Sequence, residues 1–110
     1  MQFVVEDTGS HLLITVGETR IDAAIATQFK DKLRAIVTKA SKPVHLDLHN
    51  VDFMDSSGLG AVIAVRKALS ERLPLVLQAV TPNVERVFRL TRMDSVFDIR
   101  SAIPEEVKRQ

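Results

Sequence analysis

"VDFMDSSGLGAVIAVRK" (residues 51–67) decides the fold, because within it an apolar strand-like approach gives way to a helix across two serines and two glycines. A helix chosen for stability alone would not carry Gly58 and Gly60 in its first two turns, since glycine is less favourable there than alanine by roughly 0.8–1 kcal/mol. Asp55 and the two serines are the residue types that close a helix start, yet one cap needs only one of the three. The surplus hydroxyl points to a group left on a surface that another molecule approaches closely.

Working outward, periodicity divides the rest of the chain into alternating elements. "FVVE" (3–6) and "HLLITV" (11–16) read as strands joined by the turn "DTGS", with Leu12, Ile14 and Val16 on one face. From Asp22 to about Ala40 the residues Ile25, Phe29, Leu33, Ile36 and Val37 fall at helical spacing, with Asp22 as the expected N-cap. "PVHLDL" (43–48) is the next strand. The quoted motif then opens a helix from about Ser57 to Arg72, whose buried stripe is Leu59, Val62, Ile63 and Leu69. "LPLVLQAV" (73–80) is a strand. Thr81 and Pro82 supply a cap and a first-turn proline for a helix to about Leu90, with Val84, Val87 and Phe88 inward. "SVFDI" (95–99) is a short last strand and "PEEVKRQ" (104–110) a frayed terminal turn. Strands alternating with helices, without a linker or repeat, give one α/β domain over residues 1–110. Its expected architecture is a mixed central β-sheet with flanking α-helices and right-handed crossovers.

Composition narrows the function. The 110 residues bear 15 basic and 14 acidic side chains, scattered along the chain, which is not the footprint of a nucleic-acid binder. The apolar run Ala61–Val65 stops at Arg66, far short of the roughly 20 residues that span a bilayer. The N-terminal residues lack a basic lead and an apolar stretch of signal-peptide length, and there is no cysteine, so a cytoplasmic location without membrane insertion is the expectation.

"DFMDSSGLG" (52–60), preceded by "VHLDLHNV" and followed by "AVIAVRKAL", resembles the phosphorylation-site motif of STAS domains, in particular the free-standing anti-sigma-factor antagonists of bacterial partner-switching systems. "RIDAAIATQFKDKL" (20–33) is similar to that family's first-helix entry and "VTPNVERVFRLTRMDSVFDI" (80–99) to its last helix and strand. The pattern departs from the family at "TRMD", where Thr-Gly-Leu is usual, and in two extra residues between Gly17 and Asp22. The resemblance implies a phosphorylation-gated binding switch with no catalysis and no cofactor of its own. Ser56 matches the phosphoacceptor; Asp22, Asp55, Ser56, Ser57, Gly58, Leu59 and Gly60 form the implied partner-binding surface. The implied partners are a serine kinase/anti-sigma factor of the histidine-kinase-like ATPase type, which brings ATP and magnesium, and a metal-dependent serine phosphatase. A second expectation is a constitutively binding STAS subunit of a non-sigma complex such as a lipid-transport ATPase assembly.

Two chemical rivals arise from the same residues. His45, Asp47 and His49 alternate along one strand and are types that ligate zinc, but same-face neighbours stand roughly 6.6–6.8 Å apart, out of reach of one ion for the full set. The plainer expectation is that Val44, Leu46 and Leu48 face the core while the polar set hydrogen-bonds on the other face. A hydrolase would use Ser56 or Ser57 as nucleophile and a histidine as base, but Gly-x-Ser-x-Gly is missing. "GLG" alone lacks the longer glycine and lysine pattern of a phosphate loop.

Overall fold

The computed structural model describes residues 2–69 and 71–102. The terminal turn expected over 104–110 lies outside them. In chain order the elements are β1 (Phe3–Asp7), β2 (Leu12–Val16), β3 (Arg20–Ile21), α1 (Ala26–Val37), β4 (Val44–Asp47), β5 (Phe53–Met54), α2 (Ser56–Ala68), β6 (Leu75–Val80), α3 (Pro82–Leu90), a 3-10 turn (Met93–Ser95) and β7 (Asp98–Ser101). Five strands form one mixed sheet in the order β1-β2-β4-β6-β7, and β3 and β5 make a separate two-stranded pair. The hairpin β1–β2 is antiparallel, with Val5 opposite Ile14, while β2–β4, β4–β6 and β6–β7 are parallel.

Alternation along the central strands sets the core. Ile14 and Val16 of β2, Val44 and Leu46 of β4 and Leu75 and Leu77 of β6 are buried, together with Phe29 and Leu33 of α1, Val62 and Val65 of α2 and Val84 and Phe88 of α3, in one continuous apolar cluster. Full burial of a side chain of this size stabilises by roughly 1.5–3 kcal/mol relative to exposure. Near its end β6 carries a bulge: Ala79 has φ 54° and the register with β7 shifts between Leu77 and Val80. The extra residue returns Val80 to the core side, where it is 1% exposed.

The structure corrects several boundaries. Helix α1 starts at Ala26 instead of Asp22. Asp22 instead closes a turn: its Oδ1 accepts the Ala24 N–H at 3.1 Å and its carbonyl accepts the N–H groups of Ile25 and Ala26. The Ala23 N–H, which an earlier helix start would have placed at its first turn, is drawn away to Asp55 Oδ2 at 3.1 Å. Helix α2 begins at Ser56 and ends at Ala68, short of Arg72, because Leu69 has left helical geometry with ψ 142°. Thr81 precedes α3 as expected, but its hydroxyl does not cap the helix; Oγ1 donates to the Val51 carbonyl at 2.6 Å and ties the start of α3 to the approach to β5. Strands β3 and β5, each two residues long, lack enough alternation to be legible in the sequence.

At the end of α3, Arg92 sits in the left-handed region at φ 62°, ψ 18°, a conformation that favours glycine. A residue with a Cβ pays about 1–2 kcal/mol for that conformation, partly offset because glycine loses more freedom on folding. Arg92→Gly is expected to raise stability by about 0.5–1 kcal/mol in chemical denaturation; a loss of stability would show that the arginine side chain contributes more than its backbone costs.

Candidate functional site

The motif's chemistry is organised by one carboxylate. Asp55, in extended conformation (φ −103°, ψ −173°), is the N-cap of α2, and its Oδ1 accepts the Gly58 N–H at 2.9 Å. Its Oδ2 accepts the Ala23 N–H from the turn ahead of α1 at 3.1 Å, so the same side chain caps one helix and fixes the entry to another. Its own N–H reaches the Ile21 carbonyl at 3.4 Å. The Gly58 N–H holds the Asp55 carboxyl below its ordinary value of 3.8, against an opposing effect of desolvation and with further help from the N–H groups of Ala23 and Ser57. The carboxylate is therefore ionised and fully engaged at neutral pH.

Ser56 and Ser57, the first two residues of α2, are both exposed. The two glycines behind them have opposite environments. A Cβ on Gly58 would collide with the Ile21 carbonyl oxygen and stand 2.9 Å from Met54 Cγ, so glycine there lets the first turn of α2 press against the β3–β5 pair. Around Gly60 an added Cβ meets nothing within 4 Å. Gly60 instead lies, with Ser57, along a shallow groove between the helices lined also by Ala26, Thr27 and Lys30 of α1.

Of the residues expected on a partner-binding surface, Ser56, Ser57 and Gly60 are exposed and Asp22 and Asp55 are partly so, whereas Gly58 and Leu59 are buried, Leu59 at 8% exposure. Those two hold the exposed residues in place from beneath. The two glycines therefore serve different ends: Gly58 lets α2 pack closely, and Gly60 keeps the exposed surface low.

The zinc-type residues form a hydrogen-bonded ladder on the outer face of the sheet. His45 Nδ1 lies 3.0 Å from Gln78 Oε1, Gln78 Nε2 donates to Asp47 Oδ2 at 3.2 Å, and His49 Nδ1 lies 2.7 Å from Asp47 Oδ1. Val44, Leu46 and Leu48 are buried behind them, as expected. Burial pushes the Asp47 carboxyl up, but the His49 N–H and ring and the Gln78 amide outweigh it, so the net shift is downward. Among the described residues no group of three or more His, Cys, Asp or Glu is arranged to hold a metal ion. Two members escaped sequence reading: Gln78, whose signal was a lone amide in an apolar strand, and His11, whose ring stacks on His45 with centroids 3.8 Å apart. The His11 ring bonds Ser10 and Thr8, so all three histidine rings engage groups other than Ser56 and Ser57.

The chain and its fold are similar to known proteins. The family model described as "Mlab, STAS domain" matches residues 4–101. The chain is 31% identical over 96 residues to the anti-sigma-B factor antagonist of Listeria monocytogenes, covering 86% of this chain and 82% of that protein. Its fold superposes on an anti-sigma factor antagonist from Mycobacterium paratuberculosis with a TM-score of 0.80 at 25% identity, covering 90% of this chain and 84% of the other. The Bacillus cell fate determinant SpoIIAA in its phosphorylated form shares the fold at TM-score 0.64 and 19% identity, over 96% and 94% of the two chains.

The contrast between the glycines gives a direct test of the site's construction. Gly58→Ala is expected to cost at least about 2 kcal/mol, because a backbone carbonyl must move, whereas Gly60→Ala should stabilise by about 0.5–1 kcal/mol. Thermal melts of the two variants decide; equal effects would contradict the close approach of α2 to Ile21.

Proposed function

Because the chain belongs to the STAS-domain family, we propose that it is an anti-sigma-factor antagonist that works as a phosphorylation-gated binding switch, with Ser56 as phosphoacceptor. The observation that carries the reading is an exposed serine at the first position of α2 whose surroundings are immobilised by the Asp55 cap and the Gly58 contact. A hydroxyl presented on a fixed turn is accessible to a kinase, and its modification changes the surface without requiring the fold to change. The Listeria relative carries the name anti-sigma-B factor antagonist, and a structural neighbour is known in a phosphorylated form; both support this choice of function.

In the unphosphorylated state the domain binds a serine kinase/anti-sigma factor of the histidine-kinase-like ATPase type through Asp22, Asp55, Ser56, Ser57 and Gly60, supported from beneath by Gly58 and Leu59. The kinase supplies ATP and magnesium. Ser56 Oγ attacks the γ-phosphorus, the bond to the ADP oxygen breaks, and the hydroxyl proton leaves to a base of the kinase or to water. A metal-dependent phosphatase hydrolyses the Oγ–P bond and returns the serine and inorganic phosphate. The domain itself turns over no substrate and works in the cytoplasm; among the described residues no helix is long and apolar enough to cross a membrane.

A phosphoserine carries about −1.5 to −2 charges at neutral pH. The helix start favours an anion, but the Gly58 N–H is already given to Asp55. The phosphate therefore stands beside an ionised carboxylate, bulky and hydrated, and a partner covering the patch would have to desolvate it. Burial of unpaired charge at an interface costs about 2–5 kcal/mol, or thirtyfold and more in affinity.

Calorimetric titration against the cognate kinase, with thermal melts, tests the switch. Ser56→Asp should bind at least about thirtyfold more weakly than wild type while melting within a few degrees of it; Ser56→Ala should bind and melt as wild type. Undiminished binding by both Ser56→Asp and the phosphorylated protein favours the constitutively binding STAS subunit instead, and a collapse of stability contradicts a local mechanism.

A further inference from the structure

The β3–β5 pair that leads into Ser56 carries a cation, Arg20, that the motif does not include. Arg20 and Ile21 of β3 pair in register with Phe53 and Met54 of β5. Ile21 and Met54 turn into the core, so alternation places Arg20 and Phe53 together on the outer side. The Arg20 guanidinium carbon lies 4.1 Å from the centroid of the Phe53 ring, which is 38% exposed. Its Nε donates to Asp22 Oδ2 at 3.4 Å, with the two side chains 58% and 26% exposed. Directly beyond this pair of strands come Asp22 on one side and Asp55 with Ser56 on the other, joined by the bond from the Asp55 N–H to the Ile21 carbonyl.

An anion on Ser56 would enter ground where nearby backbone donors are committed: the Gly58 and Ala23 N–H groups both serve Asp55. Asp22 and Asp55 repel it. Arg20 is held by a long, exposed ion pair and an exposed ring contact, both weak. A phosphate near two negative charges attracts a guanidinium more strongly than the single charge of Asp22 does, and the planar fork of arginine matches its oxygens. Lys30, which lines the inter-helix groove with Ser57 and Gly60, is the competing cation.

Resting on the reading of Ser56 as phosphoacceptor, we propose that Arg20 is the counter-cation of the phosphorylated site: the phosphate draws the guanidinium from Asp22 and off the ring of Phe53. Phosphorylation then acts twice, adding charge at Ser56 and uncovering an aromatic side chain next to it. The device belongs to β3, outside the motif itself.

Phosphoserine incorporated at position 56 during translation provides the protein without any kinase. Its second ionisation, followed by phosphorus NMR at low salt, should have a midpoint about half a pH unit higher in Arg20→Gln than in the parent, because removing the cation makes the dianion less favourable. Lys30→Gln should titrate as the parent does. Equal midpoints in Arg20→Gln and the parent, or a displacement by Lys30→Gln in place of Arg20→Gln, would overturn the proposal. Since no kinase enters the measurement, a chain that no kinase modifies would defeat the partner-switch reading while leaving this titration decisive for Arg20.

Discussion

The two hydrogen bonds accepted by the Asp55 carboxylate set the geometry on which the site depends. One, from the Gly58 N–H, caps α2 at its start; the other, from the Ala23 N–H, holds the turn that leads into α1 against the motif. A single charge thereby ties the start of α2 to the turn ahead of α1, beside the β3–β5 pair that the Asp55 N–H also reaches at the Ile21 carbonyl. Replacing it with a neutral side chain of similar shape would keep the acceptor for one N–H and lose the charge that complements the helix start.

The division of labour among neighbouring residues follows from that constraint. Gly58 must lack a side chain because Asp55 pulls the first turn of α2 down onto the Ile21 carbonyl. Leu59, one residue on, is driven into the core. What remains outside is Ser56, Ser57 and Gly60, a polar and small-residue surface on a rigid base. Rigidity matters for a switch built from one hydroxyl: when the backbone does not yield, the added charge is expressed at the surface and felt by whatever binds there.

Much of this was legible in the sequence, for identifiable reasons. The hairpin, the strands β4 and β6 and all three helices carry apolar spacing over enough residues to be read, and the Asp-Ser-Ser-Gly run marked the start of α2 to within one residue. The last strand, expected over 95–99, lies instead at Asp98–Ser101, after a 3-10 turn over Met93–Ser95, because its only apolar residue is Ile99 and the pair Val96–Phe97 ahead of it drew the reading forward. The two-residue strands β3 and β5 were invisible because two residues hold no period. The start of α1 was misplaced because Asp22 makes the bond expected of a cap, from the Ala24 N–H, yet closes only a turn, and regular helix begins at Ala26. Gly58 and Gly60 look alike in the sequence and differ only in what stands opposite them. His11 came to His45 through the pairing of β2 with β4, which no local pattern announces.

The account turns on a single hydroxyl, so the most direct measurement is the mass and site of modification after incubation with the cognate kinase, ATP and magnesium. The expected result is one phosphoryl group on the wild-type chain, mapped by peptide fragmentation to Ser56, and none on Ser56→Ala. Phosphate found on Ser57, or on the Ser56→Ala chain, would contradict it.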